Sequence, residues 1–331
     1  MPKTARILHP NPDGSGFYHV INRTVANDFL FQDAEKEEFT RLMRKTAAFT
    51  GIEILTHVVM SNHYHILLDV PSPRELSEPE ILARYQANVS TTHYVSVVRE
   101  LARHRKAGNE SAALLRLKRI TDRMYNLSAF MQSLNQAMSE WFNRRYRRIG
   151  PLWAGRFTNV LVEAADHVLL AMAAYIDLNP VRAGIVNDPK DYRWSGYGEA
   201  VAGQAPARSG LTRLMAIEGC APLWAAAAPH YRRLVFASGG ETGKRPGLSR
   251  QSVLQTLAAG GELTLWELLH CRVRYFTDSL AIGSRSFVEG VFAGNRSHFG
   301  PTRKHGARPV KPGLALPGLV TLRAPRRSPV C

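Results

Sequence analysis

The stretch IEILTHVVMSNHYHILLDV, residues 52–70, decides how the rest of the chain is read. Two runs rich in apolar and β-branched residues, 52–60 and 65–70, flank the tripeptide SNH at 61–63, which predicts an antiparallel strand pair closed by a short turn. Outward from this pair, FYHVIN at 17–22 has strand character. Residues 33–50 carry apolar side chains at helical spacing through Phe39, Leu42, Met43 and Ala47. A long helical region is expected over about 80–119. A second runs over 127–145, where Phe130, Met131, Leu134, Met138, Trp141 and Phe142 form a stripe. RFTNVLVE at 156–163 reads as another strand, and a helix over 164–178 is stopped by Pro180. The first 200 residues therefore read as an α+β segment with roughly four strands.

Composition narrows the class of partner. The chain has 331 residues with 45% hydrophobic content, enough for a substantial core. Lys and Arg number 43 against 27 Asp and Glu, a formal charge of +16, which points to a polyanionic partner. No run approaches the ~20 apolar residues of a membrane span, and the first residues lack the apolar core of a signal peptide, so a cytoplasmic, nucleoid-associated protein is expected. The three cysteines, Cys220, Cys271 and Cys331, are far apart and support neither a disulfide framework nor a Cys-rich zinc site.

Four segments are expected: 1–200 as a catalytic domain, 201–246 as a connection, 247–296 as a small helical module, and 297–331 as a basic, flexible tail. GGETGKRPG at 239–247 marks the main break. The tail has no acidic residue but carries Arg303, Lys304, Arg308, Lys311, Arg323, Arg326 and Arg327 among Pro and Gly. The helical module is read equally well as a DNA-binding unit or as a packing unit.

Two constellations bear chemistry. His63 and His65 stand two apart, so a strand would turn both imidazoles to one face, as a divalent metal requires. With 12 histidines in the chain, that spacing by itself is a weak signal. Tyr175 and Asn179, within AAYIDLNPVRAG at 173–184, stand four apart on one helix face. Taken alone, Tyr175 reads as a half-buried aromatic and Asn179 as a helix cap before Pro180.

Read together and in order, GFYHVINR (16–23), HVVMSNHYHILLDVP (57–71), LSAFMQSLNQAMSEWFNRRYRRIGPLWAGRF (127–157) and YIDLNPVRAGIVNDPKDYRWSGYGEA (175–200) resemble the IS200-like single-tyrosine transposases, and within them the REP-associated group. The resemblance spans about residues 3–200. It implies a ferredoxin-like antiparallel sheet with packed helices, with His63 and His65 on a central strand and Asn179 as a third ligand binding Mg²⁺ or Mn²⁺. Tyr175 would be the nucleophile, forming a 5′-phosphotyrosine with single-stranded DNA that carries REP-like hairpins.

The implied enzyme cleaves and rejoins DNA as a monomer or homodimer. Arg23, Arg144, Arg145, Arg147, Arg148, Arg156 and Arg182 are expected at DNA phosphates. An arginine-rich helix end can equally be a solvated complement to the helix dipole. Two other classes of function stay open at this point: a non-catalytic hairpin-binding protein, and a metal-dependent nuclease that uses water in place of Tyr175.

Overall fold

The computed structural model describes residues 7–11, 13, 15–217, 219–236, 275–310 and 318–323. Its frame is β1 (Gly16–Arg23), α1 (Asp33–Thr50), β2 (Glu53–Val59) and β3 (His63–Val70), followed after a helical insertion by α5 (Leu127–Arg145) and β4 (Thr158–Val162). These strands lie in the order β2-β3-β1-β4, with every neighbour antiparallel. That order with β-α-β-β-α-β connectivity is the ferredoxin-like arrangement, so the α+β expectation is borne out. The turn is tighter than expected: β3 begins at His63, so both histidines of the pair are strand residues.

Local chemistry explains the elements on the first face. The α1 N-terminus carries a capping box, in which Glu35 Oε2 accepts from the backbone N–H of Gln32 at 2.9 Å. The helix ends at Gly51 with φ +71°, where an added Cβ would stand 2.4 Å from Arg84 and 2.8 Å from Tyr125, so only glycine fits. Phe39, Leu42 and Met43 of α1 and Phe130, Met131, Leu134 and Met138 of α5 pack on Tyr18, Val20, Tyr64, Ile66 and Leu68 of the sheet. These sheet residues alternate along β1 and β3 with Phe17, His19, Ile21, His63, His65 and Leu67, which must face the other way.

The helical region expected between β3 and α5 is present as an insertion. It is three helices, α2 (Glu78–Asn88), α3 (Thr91–Lys106) and α4 (Glu110–Thr121), around a small core with Phe49, Tyr85, Leu101 and Leu117. The breaks fall where side chains compete for the backbone: Ser90 Oγ accepts from His93 N–H, Asn109 Oδ1 accepts from Ala112 N–H, and Gly108 takes φ +71°.

The second face of the sheet is covered by α6 (Asp166–Asp177), continued by the short α7 (Asn179–Arg182), and then by α8 (Gly196–Val201), α9 (Ala205–Ile217) and α10 (Trp224–Phe236). Residues Leu169 to Ile176 are buried all round, because α6 has the sheet on one side and α9 and α10 on the other. Thr56 on β2 donates to Asp177 Oδ2 at 2.9 Å and Tyr231 on α10 also donates to it. Tyr197 N–H donates to Asp177 Oδ1 at 3.2 Å. One buried carboxyl thus ties α6 to its neighbours.

The C-terminal part departs from the expected helical module and flexible tail. Tyr275–Asp278 (α11) leads into strand β5 (Ser279–Gly283), which adds to the sheet parallel to β4. After α12 (Arg285–Gly294), β6 (Ala307–Pro309) and β7 (Val320–Arg323) extend the sheet to seven strands in the order β2-β3-β1-β4-β5-β7-β6. SLAIG and VTLR are too short for periodicity to reveal, and their pairing partners are distant in sequence.

Part of the basic stretch is also pinned. The Arg303 guanidinium donates to the carbonyls of His305, Gly306 and Arg323. The expected boundary at 239–247 and the segment 247–274 lie outside the described residues. Among the described residues, no helix is long and apolar enough to cross a membrane.

Candidate active site

Strand alternation and register build the site. In the β1–β3 ladder, Ile21 pairs with His65 and Arg23 with His63, so His19, Arg23, His63 and His65 all face α6. The His63 and His65 rings stand 5.1 Å apart between centroids, and the His65 ring lies 6.0 Å from that of Tyr175, edge to face. His63, His65 and Tyr175, distant in sequence, meet on this face.

His19 joins them. Its ring lies 5.0 Å from His65 and 6.2 Å from Tyr175. The sequence places His19 on a strand without orienting it. Its alternation with Tyr18 and Val20, set against the His63–His65 register, is the signal that does.

Hydrogen bonds decide which nitrogen each histidine presents. His63 Nδ1 lies 2.6 Å from Asn62 Oδ1, and Asn62 Nδ2 donates to Asn27 O at 3.1 Å. With its amide nitrogen so engaged, Asn62 offers an acceptor, so His63 Nδ1 carries the hydrogen. His19 Nδ1 lies 2.8 Å from the carbonyl oxygen of Phe276, and its Nε2 lies 2.9 Å from His65 Nδ1. A carbonyl only accepts, so His19 Nδ1 donates.

Burial pushes the His19 imidazole down to about 4, with the positive charge of Arg182 adding to the effect, so at neutral pH its Nε2 carries a lone pair. His65 must then donate from Nδ1. Burial, followed by His19 and His63, holds His65 well below the usual histidine range and therefore neutral. In His65, and in the neutral form of His63, the lone pair then sits on Nε2, which is the form a divalent cation requires.

Tyr175 is held on several sides. Its ring stacks on Phe276 at 4.8 Å and 27°, and the Arg182 Cζ stands 4.1 Å from its centroid. Arg182 Nη2 also donates to the Tyr175 carbonyl at 2.6 Å. Asn179 opens α7 directly after the α6 cap residue Leu178. Its Nδ2 donates to the carbonyls of Tyr175 and Ile176, at 3.0 and 3.1 Å. Pro180 has no N–H for the Ile176 carbonyl, and the Asn179 amide supplies the missing donor. The capping role expected of Asn179 is therefore present, and it leaves Oδ1 as the amide atom able to act as a ligand. Among the described residues no group of three or more His, Cys, Asp or Glu could hold a metal, so a metal at His63 and His65 would need the Asn179 amide, substrate or water to complete its shell.

The arginines divide. Arg23 ends β1 opposite His63, and the segment after α5 runs back along it, with Ala154 N–H donating to Arg23 O and Asn22 Nδ2 to Gly155 O. Exposed Arg156 therefore belongs to the same end of the sheet as Arg23. Arg144 and Arg147 are exposed at the α5 terminus. Arg145 lies 3.8 Å from Glu35 and over Trp141 and Tyr146, and Arg148 lies over Phe142. Arg182, expected at a phosphate, is engaged with Tyr175. Two nearby aromatics are structural: Trp153 packs on Phe31, Phe39 and Tyr64, and buried Tyr192 donates to Val59 O.

Residues 15–103 match the family of IS200-like transposases. That IS200-like stretch runs from the start of β1 into α3 and contains His19, Arg23, His63 and His65. Tyr175 and Asn179 lie beyond it. The resemblance read from the sequence is borne out over this stretch. A solved structure of a REP-associated tyrosine transposase bound to a REP hairpin is similar to the chain at 15% identity, with a TM-score of 0.33, covering 61% of this chain and 87% of that one. No curated protein matches the chain.

Proposed function

We propose that the protein is a metal-dependent, single-tyrosine DNA strand transferase that cleaves and rejoins single-stranded, hairpin-bearing DNA of the REP type. The observation that carries this reading is the convergence of His63, His65 and Tyr175 on one sheet face, with both imidazoles presenting Nε2. The IS200-like match over 15–103 supports it independently.

His63, His65 and the Asn179 Oδ1 would hold Mg²⁺ or Mn²⁺, which would supply charge neutralisation at a non-bridging phosphate oxygen. The chain's own groups do the rest. Tyr175 Oη attacks phosphorus, the P–O3′ bond breaks, the phenol gives up its proton, and a proton ends on the departing 3′ oxygen. The product is a 5′-phosphotyrosine with a free 3′-OH. The ester keeps the energy of the broken bond, so rejoining needs no nucleotide cofactor. Phe276 and Arg182 hold the nucleophile's ring, and Arg23 and Arg156 offer positive charge at the His63 end of the sheet.

The reading is tested by incubating the full-length protein with a labelled hairpin oligonucleotide and Mn²⁺, then denaturing. A covalent protein–DNA adduct is expected. Cleavage without an adduct would favour the water-using nuclease, and hairpin binding without cleavage would favour the non-catalytic binder.

A further inference from the structure

We propose that Phe276 is a positioning residue through which the C-terminal segment completes the tyrosine site. Its ring stacks on Tyr175, which Arg182 also contacts, and its carbonyl, acting through His19, fixes which nitrogen of His65 faces outward.

Phe276 lies beyond the IS200-like stretch and is 257 residues from His19, yet it meets both parts of the site. The route is topological. β5 pairs with β4, β4 pairs with β1, and β1 carries His19, so the residues just before β5 are delivered beside His19. Phe276 is 1% exposed, and its ring and its carbonyl act separately.

The ring stacks on one side of Tyr175, while Arg182 stands over the Tyr175 ring at 4.1 Å. A phenol attacking phosphorus in line depends on this orientation, which an immobile flanking ring maintains. The carbonyl acts at a distance: it accepts from His19 Nδ1, so His19 Nε2 accepts from His65 Nδ1, and the lone pair of His65 is placed on Nε2. A backbone carbonyl cannot change role, so between neutral imidazoles the hydrogen bonds run in one sense. An ordinary core phenylalanine would contribute volume only. This one is joined to the nucleophile by its ring and to a ligand histidine by its backbone.

The inference rests on the proposed strand transfer, and its test separates the two. Ring-nitrogen NMR of the metal-free, full-length protein should find the proton of both His19 and His65 on Nδ1. In His19→Ala, the His65 proton should no longer be confined to Nδ1, and Mn²⁺ affinity, read by the electron spin resonance of free Mn²⁺, should fall by about 10- to 100-fold. Phe276→Ala keeps the carbonyl, so Mn²⁺ affinity should stay within about threefold, while single-turnover adduct formation at saturating Mn²⁺ should slow by about tenfold or more, equivalent to ~1.4 kcal/mol. Phe276→Tyr keeps the stacking face and should recover most of that rate.

A proton on Nε2 of His65 in the wild type would overturn the relay. A Phe276→Ala rate equal to the wild type would overturn the clamp, and a faster one would make the ring a cover over Tyr175 rather than a support. If Phe276→Ala fails to fold, Phe276→Leu, which fills the site without a π face, is expected to show the same slowing, and an unslowed Leu variant overturns the clamp. A wild type that forms no adduct speaks against strand transfer itself, and the NMR result still decides the relay.

Discussion

Arg182 and Tyr175 are joined twice: the guanidinium donates to the Tyr175 carbonyl at 2.6 Å, and its Cζ lies 4.1 Å over the Tyr175 ring. The two contacts use the planarity of arginine, which lysine lacks. Arg182→Lys keeps the charge but loses the stack and the fixed donor. Single-turnover adduct formation should slow by about tenfold, while hairpin affinity changes by less than about threefold, since a tenfold effect is ~1.4 kcal/mol. A large loss of hairpin affinity with an unchanged rate would return Arg182 to the phosphate-binding role that the sequence suggests.

His63→Ala and His65→Ala should each abolish cleavage, as should EDTA, while hairpin affinity stays within about tenfold because phosphate contacts elsewhere dominate binding. Gel-shift titration and adduct formation on the same samples check both halves. Full cleavage in EDTA would contradict the metal assignment.

Exposed Arg144 and Arg147 should contribute sequence-independent affinity. Replacing both with Ala should weaken binding equally to a hairpin and to a scrambled single strand. It should also flatten the slope of log affinity against log salt by about one unit per lost contact. An unchanged slope would make this helix end a solvated surface.

Two opposed sets of buried groups shape stability against pH. His19 and His57 are pushed down by burial, to about 4 and about 3, so their contribution is full above the ordinary histidine value of 6.5 and is lost as pH falls below it. Asp177 and Glu199 are pushed up by burial to about 7, so the stability they contribute is full below the ordinary carboxyl range and is lost as pH rises through 7. Asp177→Asn removes one carboxyl. Urea midpoints from pH 4 to 8 should therefore show the wild type losing stability relative to the variant as pH rises. A constant difference would mean that Asp177 does not change its protonation over this window.

Much of the frame is legible in the sequence because it rests on short-range rules. Strand alternation at 63–65, the helical stripes of α1 and α5, and Pro180 after the tyrosine helix each follow from local sequence. The His63–His65 pair and Tyr175 stand out only once the four motifs are read together, and the ferredoxin-like core follows from the same resemblance. What stays hidden depends on distant pairing. His19 acquires meaning only from the β1–β3 register, and Phe276 only from the β4–β5 pairing. The C-terminal strands are too short to carry a periodic signal. The breaks within the helical region are not apparent, because Ser90 and Asn109 are ordinary polar residues until their side chains turn back to the backbone.

The central claim is that Tyr175 is the attacking group, and mapping the covalent adduct tests it most directly. With label on the 3′ side of the cut, the label should remain on denatured protein. Peptide mass analysis should place it on the peptide containing Tyr175, and Tyr175→Phe should abolish it while fold, Mn²⁺ binding and hairpin affinity survive. An adduct that persists in Tyr175→Phe, or one that retains label from the 5′ side of the cut, would contradict the account.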